Sequence, residues 1–114
     1  MRFFVNPGKI TPVILLIDTQ DMKVVKVAIK KKRQIIKSLS EENRYGSQAL
    51  LPLIKKLLDS KQLTWSDLKS IEVVTGPGSF TGLRVGVSVA QALGFALDVP
   101  VNGEVGKPIE IRYT

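Results

Sequence analysis

TGPGSFTGLRVGVSVAQALGFALDVPVNG, running from Thr75 to Gly103, is the stretch whose reading decides the fold. The β-rich run Ile71 to Val74 leads into it, so a strand enters a glycine-rich loop, Thr75 to Gly82, and a helix follows as far as Leu97. A loop of this kind offers free backbone amides and a positive dipole end, a setting that suits phosphate, with Gly76, Gly78, Ser79, Thr81 and Gly82 as candidates. The usual fingerprints are not met. A Walker A loop ends in Gly-Lys-Ser/Thr where this chain has Thr81-Gly82-Leu83, and a dinucleotide loop opening at Gly76 needs glycine where Thr81 stands. The plainer reading is a turn that lets the helix approach the sheet closely.

The helix itself says more. Gly82, Gly86, Ala90 and Gly94 recur every fourth residue, a stripe with almost no side chain. Each glycine costs a helix up to about 1 kcal/mol, so a close backbone approach is expected to compensate. Between Arg84 and Asp98 there is no charge, and a helix apolar nearly all round is expected to be buried nearly all round. One sheet covers only one side of it, which predicts a partner helix on the other, the alternative being burial under the first helix of the chain.

Outward from this stretch, Val13 to Ile17 is a continuous apolar run closed by Asp18-Thr19, the pattern of a central strand buried on both faces. Val24 to Ile29 and Gln34 to Leu39 flank Lys30-Lys31-Lys32-Arg33 and predict a hairpin, although no Asn-Gly or Asp-Gly marks its turn. From Ser47, a candidate N-cap, Leu50, Ile54, Leu57 and Leu58 recur at helical spacing, with Pro52 expected to kink or delay the start. Thr64-Trp65-Ser66-Asp67 has capping-box spacing and opens a short helical turn. Val99-Pro100-Val101 reads as a brief last parallel strand, and the alternation from Pro108 as one more strand or an arm. The predicted order is β-β-β-α-β-α-β in one α/β lobe over residues 13–103, after an extension over 1–12 and before an arm over 104–114.

Composition bounds the chemistry. The 114 residues suit one compact domain, and with neither Cys nor His they supply no thiol, no imidazole and no zinc set. Residues 1–37 hold nine Lys/Arg against Asp18 and Asp21, while residues 38–114 hold eight of each sign, so the net charge of +7 lies in the first third. Lys30, Lys31, Lys32 and Arg33 are thus candidate contacts for RNA, the alternative being a solvated hairpin tip. No uninterrupted apolar run reaches the roughly 18 residues of a membrane span, and a cytoplasmic protein is expected.

The stretch Thr75 to Gly103 resembles the signature of the bacterial TsaB family, the non-catalytic paralogue in synthesis of tRNA threonylcarbamoyladenosine. LLIDT (Leu15 to Thr19), YGSQALLPLIKKLL (Tyr45 to Leu58) and LTWSDLKSIEVV (Leu63 to Val74) resemble the same family in the same order. The resemblance implies an actin-like, RNase H-like lobe, the N-terminal one of a family whose members usually carry two, and so no nucleotide cleft between lobes. It also implies a scaffold without a cofactor that binds the catalytic paralogue TsaD, or itself as a homodimer or hetero-oligomer, through two long helices. Carried onto this chain, those faces fall at Leu50, Leu53, Ile54 and Leu57 and at Leu83, Gly86, Val87, Ala90 and Gly94. The fold-level competitor is an RNase H-type nuclease, since Asp18 ends the first strand where such enzymes hold a metal carboxylate. A second carboxylate is needed where Thr75-Gly76 stands, so Asp18 is read as a turn cap and no metal ligands are assigned.

Overall fold

The computed structural model describes residues 12–21, 23–42 and 46–112. The expected N-terminal extension, Pro12 apart, and the last two residues of the tail lie outside the described residues. Four strands form one mixed sheet in the order β3-β2-β1-β4. β1 (Val13–Asp18) pairs antiparallel with β2 (Val24–Lys31) and parallel with β4 (Leu68–Val73), and β3 (Gln34–Glu42) lies at the edge. The absence of polar alternation in β1 has its reason here. Leu15 stands opposite Ile29 on one side and Ile71 on the other, with Val13, Leu15 and Ile17 all fully buried. On the reverse face Ile14 and Ala28 are buried as well, and Lys30 Nζ meets Glu72 Oε1 at 2.6 Å.

The hairpin turns at Lys32-Arg33, where Lys31 pairs with Gln34 and a register shift separates the Ile29 and Lys30 pairs. Lys32 takes φ +59°. That conformation is the one for which Gly or Asn is usually chosen, so the turn left no signature in the sequence.

α1 (Leu50–Ser60) follows a 3-10 turn over Gly46–Ala49 and packs on β2 and β3. Ser47 belongs to that turn and is not the N-cap, a position held by Ala49 without a side-chain bond. Pro52 is the third residue of α1, where the missing amide has no intrahelical partner, so it delays the helix and does not kink it. The predicted cap before β4 forms, with the Thr64 amide donating to Asp67 Oδ2 at 2.7 Å.

α2 (Phe80–Leu97) packs on β4 and β1. Ser79 caps its start by accepting from the Gly82 amide at 3.2 Å, and Asp98 in the left-handed region closes its end. By length and composition α2 would also pass for a membrane span, which Arg84 hides in a search for unbroken apolar runs. Its glycine face nevertheless docks on the sheet, as core helices do.

The expected last strand is reduced to a single parallel bridge, Ile71 to Val101. The outer edge of β4 is instead closed residue by residue. The Ile71 amide donates to Pro100 O at 2.9 Å, and its carbonyl accepts from the Asn102 amide at 2.8 Å. Val73 is bonded through both backbone groups to the Asn102 side chain, at 2.8 and 3.0 Å. Thr75 O accepts from the Arg112 amide at 2.7 Å. The tail is therefore an arm and not a strand among the described residues, with Ile109 and Ile111 resting on the core.

Candidate partner-binding face

Two amides of the glycine loop are taken by the chain's own packing. Ser79 N–H donates to Gln20 O at 2.9 Å and Gly82 N–H to Ser79 Oγ at 3.2 Å, so neither amide is available to an anion. A Cβ on Gly78 would strike the Gln20 backbone, one on Gly82 the Thr19 carbonyl, and one on Gly76 the Arg112 carbonyl. Gly76, Gly78 and Gly82 thus secure close chain approach, while Thr81 and Phe80 face outward. Asp18 caps a turn, its Oδ1 accepting from the Gln20 amide at 3.2 Å.

The glycine stripe faces inward. A Cβ on Gly86 would overlap the Thr19 hydroxyl, and one on Gly94 would overlap Val101. Thr19, itself 1% exposed, donates from Oγ1 to Gly82 O at 2.6 Å, which fixes the hydroxyl in the seam between β1 and α2. The interface residues carried over from the resemblance are all inside this chain. Leu50, Leu53, Ile54 and Leu57 on α1 and Leu83, Gly86, Val87, Ala90 and Gly94 on α2 are buried, so none offers a surface for docking. The physical reason is distance: only small residues let a helix backbone come this close to a sheet, which places the small stripe on the sheet side.

A second stripe, one residue before the first, is turned about 100° from it. Val85, Val89 and Leu93 are half-buried, and together with Leu51, Phe80, Arg84, Ser88 and Ala92 they line an apolar groove of about 590 Å³ between α2 and the start of α1. Phe80 is 56% exposed with the Arg84 guanidinium 5.1 Å above its ring, Leu51 is 46% exposed, and Phe95 near the end of α2 is 92% exposed. The expectation that α2 is buried nearly all round therefore fails on this side. In the sequence this stripe has the same four-residue period as the glycines.

Of the four basic residues, Lys31, Lys32 and Arg33 share one surface at the hairpin tip, whereas Lys30 is set apart. Lys30 is held by Glu72, and Lys31 Nζ reaches Pro12 O at 3.4 Å, which leaves Lys32 and Arg33 exposed at the tip.

A mixed sheet in this strand order, with both helices on one face, defines an actin-like, RNase H-like lobe, and an apolar groove opens on its second helix. A family model described as TsaD, tRNA N6-adenosine threonylcarbamoyltransferase, matches residues 40–104. The chain is 39% identical over 92 residues to the tRNA threonylcarbamoyladenosine biosynthesis protein TsaB of Buchnera aphidicola (Schizaphis graminum), covering 80% of this chain and 43% of that protein. TsaB of Bacillus subtilis is 32% identical over 89 residues, or 78% and 39% of the two chains. Among solved structures, YeaZ from Pseudomonas aeruginosa superposes with a TM-score of 0.69 at 36% identity, covering 78% of this chain and 41% of that one. The chain belongs to the TsaB family. It spans less than half the length of these relatives.

Proposed function

We propose that this lobe is a non-catalytic scaffold in the synthesis of tRNA threonylcarbamoyladenosine, acting in the cytoplasm by docking a TsaD-family subunit on the outer face of α2. The observation that carries the reading is the apolar groove on a helix whose inner face is already saturated. Exposed Phe and Leu side chains around one concave surface are the usual composition of an interface core, and a small helical partner face would fill it. The names borne by the relatives supply the pathway, and the family model matched by residues 40–104 supplies the class of partner.

No enzymatic step is assigned to the chain itself. Asp18 and Ser79 beside the loop are engaged in a turn and a cap, and the chain has no Cys or His to serve as nucleophile or base. tRNA contact, if made through this lobe, falls to Lys32 and Arg33 at the hairpin tip and is to backbone phosphate.

Calorimetric titration of the chain with a TsaD-family subunit tests the docking face. Ala92→Glu places a charge in the exposed wall of the groove and should weaken binding about 30-fold or more while leaving the melting temperature unchanged. Unaltered affinity would remove the groove from the interface.

A further inference from the structure

The β4 edge is held at one point by a chemically perishable group. Asn102 accepts from the Val73 amide through Oδ1 at 2.8 Å and donates through Nδ2 to the Val73 carbonyl at 3.0 Å, so one side-chain amide takes the place of a neighbouring strand. Gly103 follows it. The two residues form the corner of a tight hairpin, with φ +50° and +80°, closed by bonds between Val101 and Glu104 in both directions at 2.9 and 3.0 Å. Both are exposed, and nothing lies within 4 Å of the position a Cβ on Gly103 would take, so water and base reach the Gly103 amide. Of the three asparagines in the sequence, Asn6 precedes Pro7, which has no amide hydrogen, and Asn43 precedes the bulky Arg44, while Asn102 alone precedes glycine.

We propose that Asn102 is a site of spontaneous covalent modification, an asparagine that converts to aspartate and isoaspartate when its clamp on Val73 opens. Hydroxide removes the Gly103 amide proton, and the nitrogen attacks Asn102 Cγ. The Cγ–Nδ2 bond breaks and ammonia leaves with a proton taken from water, which closes a succinimide ring. Water then opens the ring at one of its two carbonyls. Breaking the bond from Cγ to the Gly103 nitrogen gives aspartate, and breaking the main-chain bond gives isoaspartate, with the chain now running through Cγ. The net change is one water taken up and one ammonia released, with no oxidant or metal required. The clamp sets the rate. Attack turns the flat side-chain amide tetrahedral and expels Nδ2, so both bonds to Val73 are given up on the way, and the reaction proceeds through an opened edge. The products do not restore it. A carboxylate has no hydrogen to offer the Val73 carbonyl and sets negative charge against it, while isoaspartate lengthens the backbone inside the hairpin that carries the bond from the Asn102 amide to Ile71 O. Modification therefore leaves β4 unclosed from Ile71 to Val73, just before the loop that leads into α2.

Incubation of the full chain at mildly alkaline pH, folded and in urea, tests this by peptide mass spectrometry. A synthetic peptide spanning Pro100 to Val105 in the same two solvents sets the unrestrained rate. Conversion is expected at Asn102, with isoaspartate confirmed by enzymatic carboxyl methylation. It should match the peptide's rate in urea and run about tenfold or more slower in the folded chain, because two hydrogen bonds are surrendered first. Converted chain isolated by ion exchange, and the Asn102→Asp variant, should each lose hydrogen-exchange protection of the Val73 amide measured by NMR, while circular dichroism shows that the helices persist. The rate comparison uses the unaltered sequence, so it decides the matter even where Asn102→Asp fails to fold. A folded chain that converts as fast as the peptide, an unfolded chain that converts at Asn43 in preference to Asn102 or not at all, or a Val73 amide as protected after conversion as before would each overturn the proposal.

Discussion

Replacing Gly86 with Ala tests whether the small stripe is a seam. In an isolated helix the change would stabilise by about 1 kcal/mol through propensity alone. Here the added methyl falls on the Thr19 hydroxyl, with Thr19 Cβ and Cγ2 both at 3.3 Å, so rotating the threonine offers no relief. Overpacking of this kind costs about 1–3 kcal/mol. Moving the hydroxyl also breaks its 2.6 Å bond to Gly82 O and strands a buried donor, for about 1–3 kcal/mol more. The net effect is a destabilisation centred near 3 kcal/mol, and with a urea m-value of about 1–3 kcal/mol/M the midpoint falls by roughly 1–3 M. Equilibrium urea unfolding measures it. Thr19→Ala vacates the space the methyl needs, so the double variant should be less destabilised than the sum of the singles. A stabilising Gly86→Ala, or strict additivity with Thr19→Ala, would show that α2 does not approach β1 as described.

Ala90→Glu should unfold the chain outright, since it buries an unpaired carboxylate at a fully enclosed position of the core, and far-ultraviolet circular dichroism at room temperature shows the loss. Lys30→Ala should shift the melting midpoint little, because the pair with Glu72 is partly exposed and contributes about 1 kcal/mol at most. The purified chain should not hydrolyse ATP. Turnover that persisted through purification and vanished in Asp18→Asn would contradict the assignment of that carboxylate to a turn. Lys32→Ser with Arg33→Ser should lower the salt dependence of tRNA binding by the assembled complex, measured as the slope of log affinity against log salt, and an unchanged slope would leave the tip merely solvated.

The fold was legible where local chemistry and tertiary context agree. The unbroken apolar run of β1 demanded neighbours on both faces, and it has them in β2 and β4. The helical spacing from Leu50 marked α1, and the glycine-rich loop after Val74 marked the approach to α2. Two features were not legible. The last strand shrank to one bridge because Asn102 and Arg112 satisfy the β4 edge from outside any regular strand, a solution that leaves no periodicity. The α2 residues carried over from the resemblance lie against the sheet, because an apolar helix has two candidate faces, and sequence spacing alone does not say which one is buried. The decision rests with Thr19, whose buried hydroxyl lies 63 residues away from Gly82 in the chain and beside it in space.

Hydroxyl-radical footprinting of the chain, free and bound to a TsaD-family subunit, tests the central claim most directly, because it reads side-chain exposure at each position. Leu51, Phe80 and Leu93 line the groove, and Trp65, half-buried in the turn before β4, serves as an internal reference. The account predicts strong protection of the three groove side chains on binding, with Trp65 unchanged. Binding without protection of Leu51, Phe80 and Leu93 would contradict it.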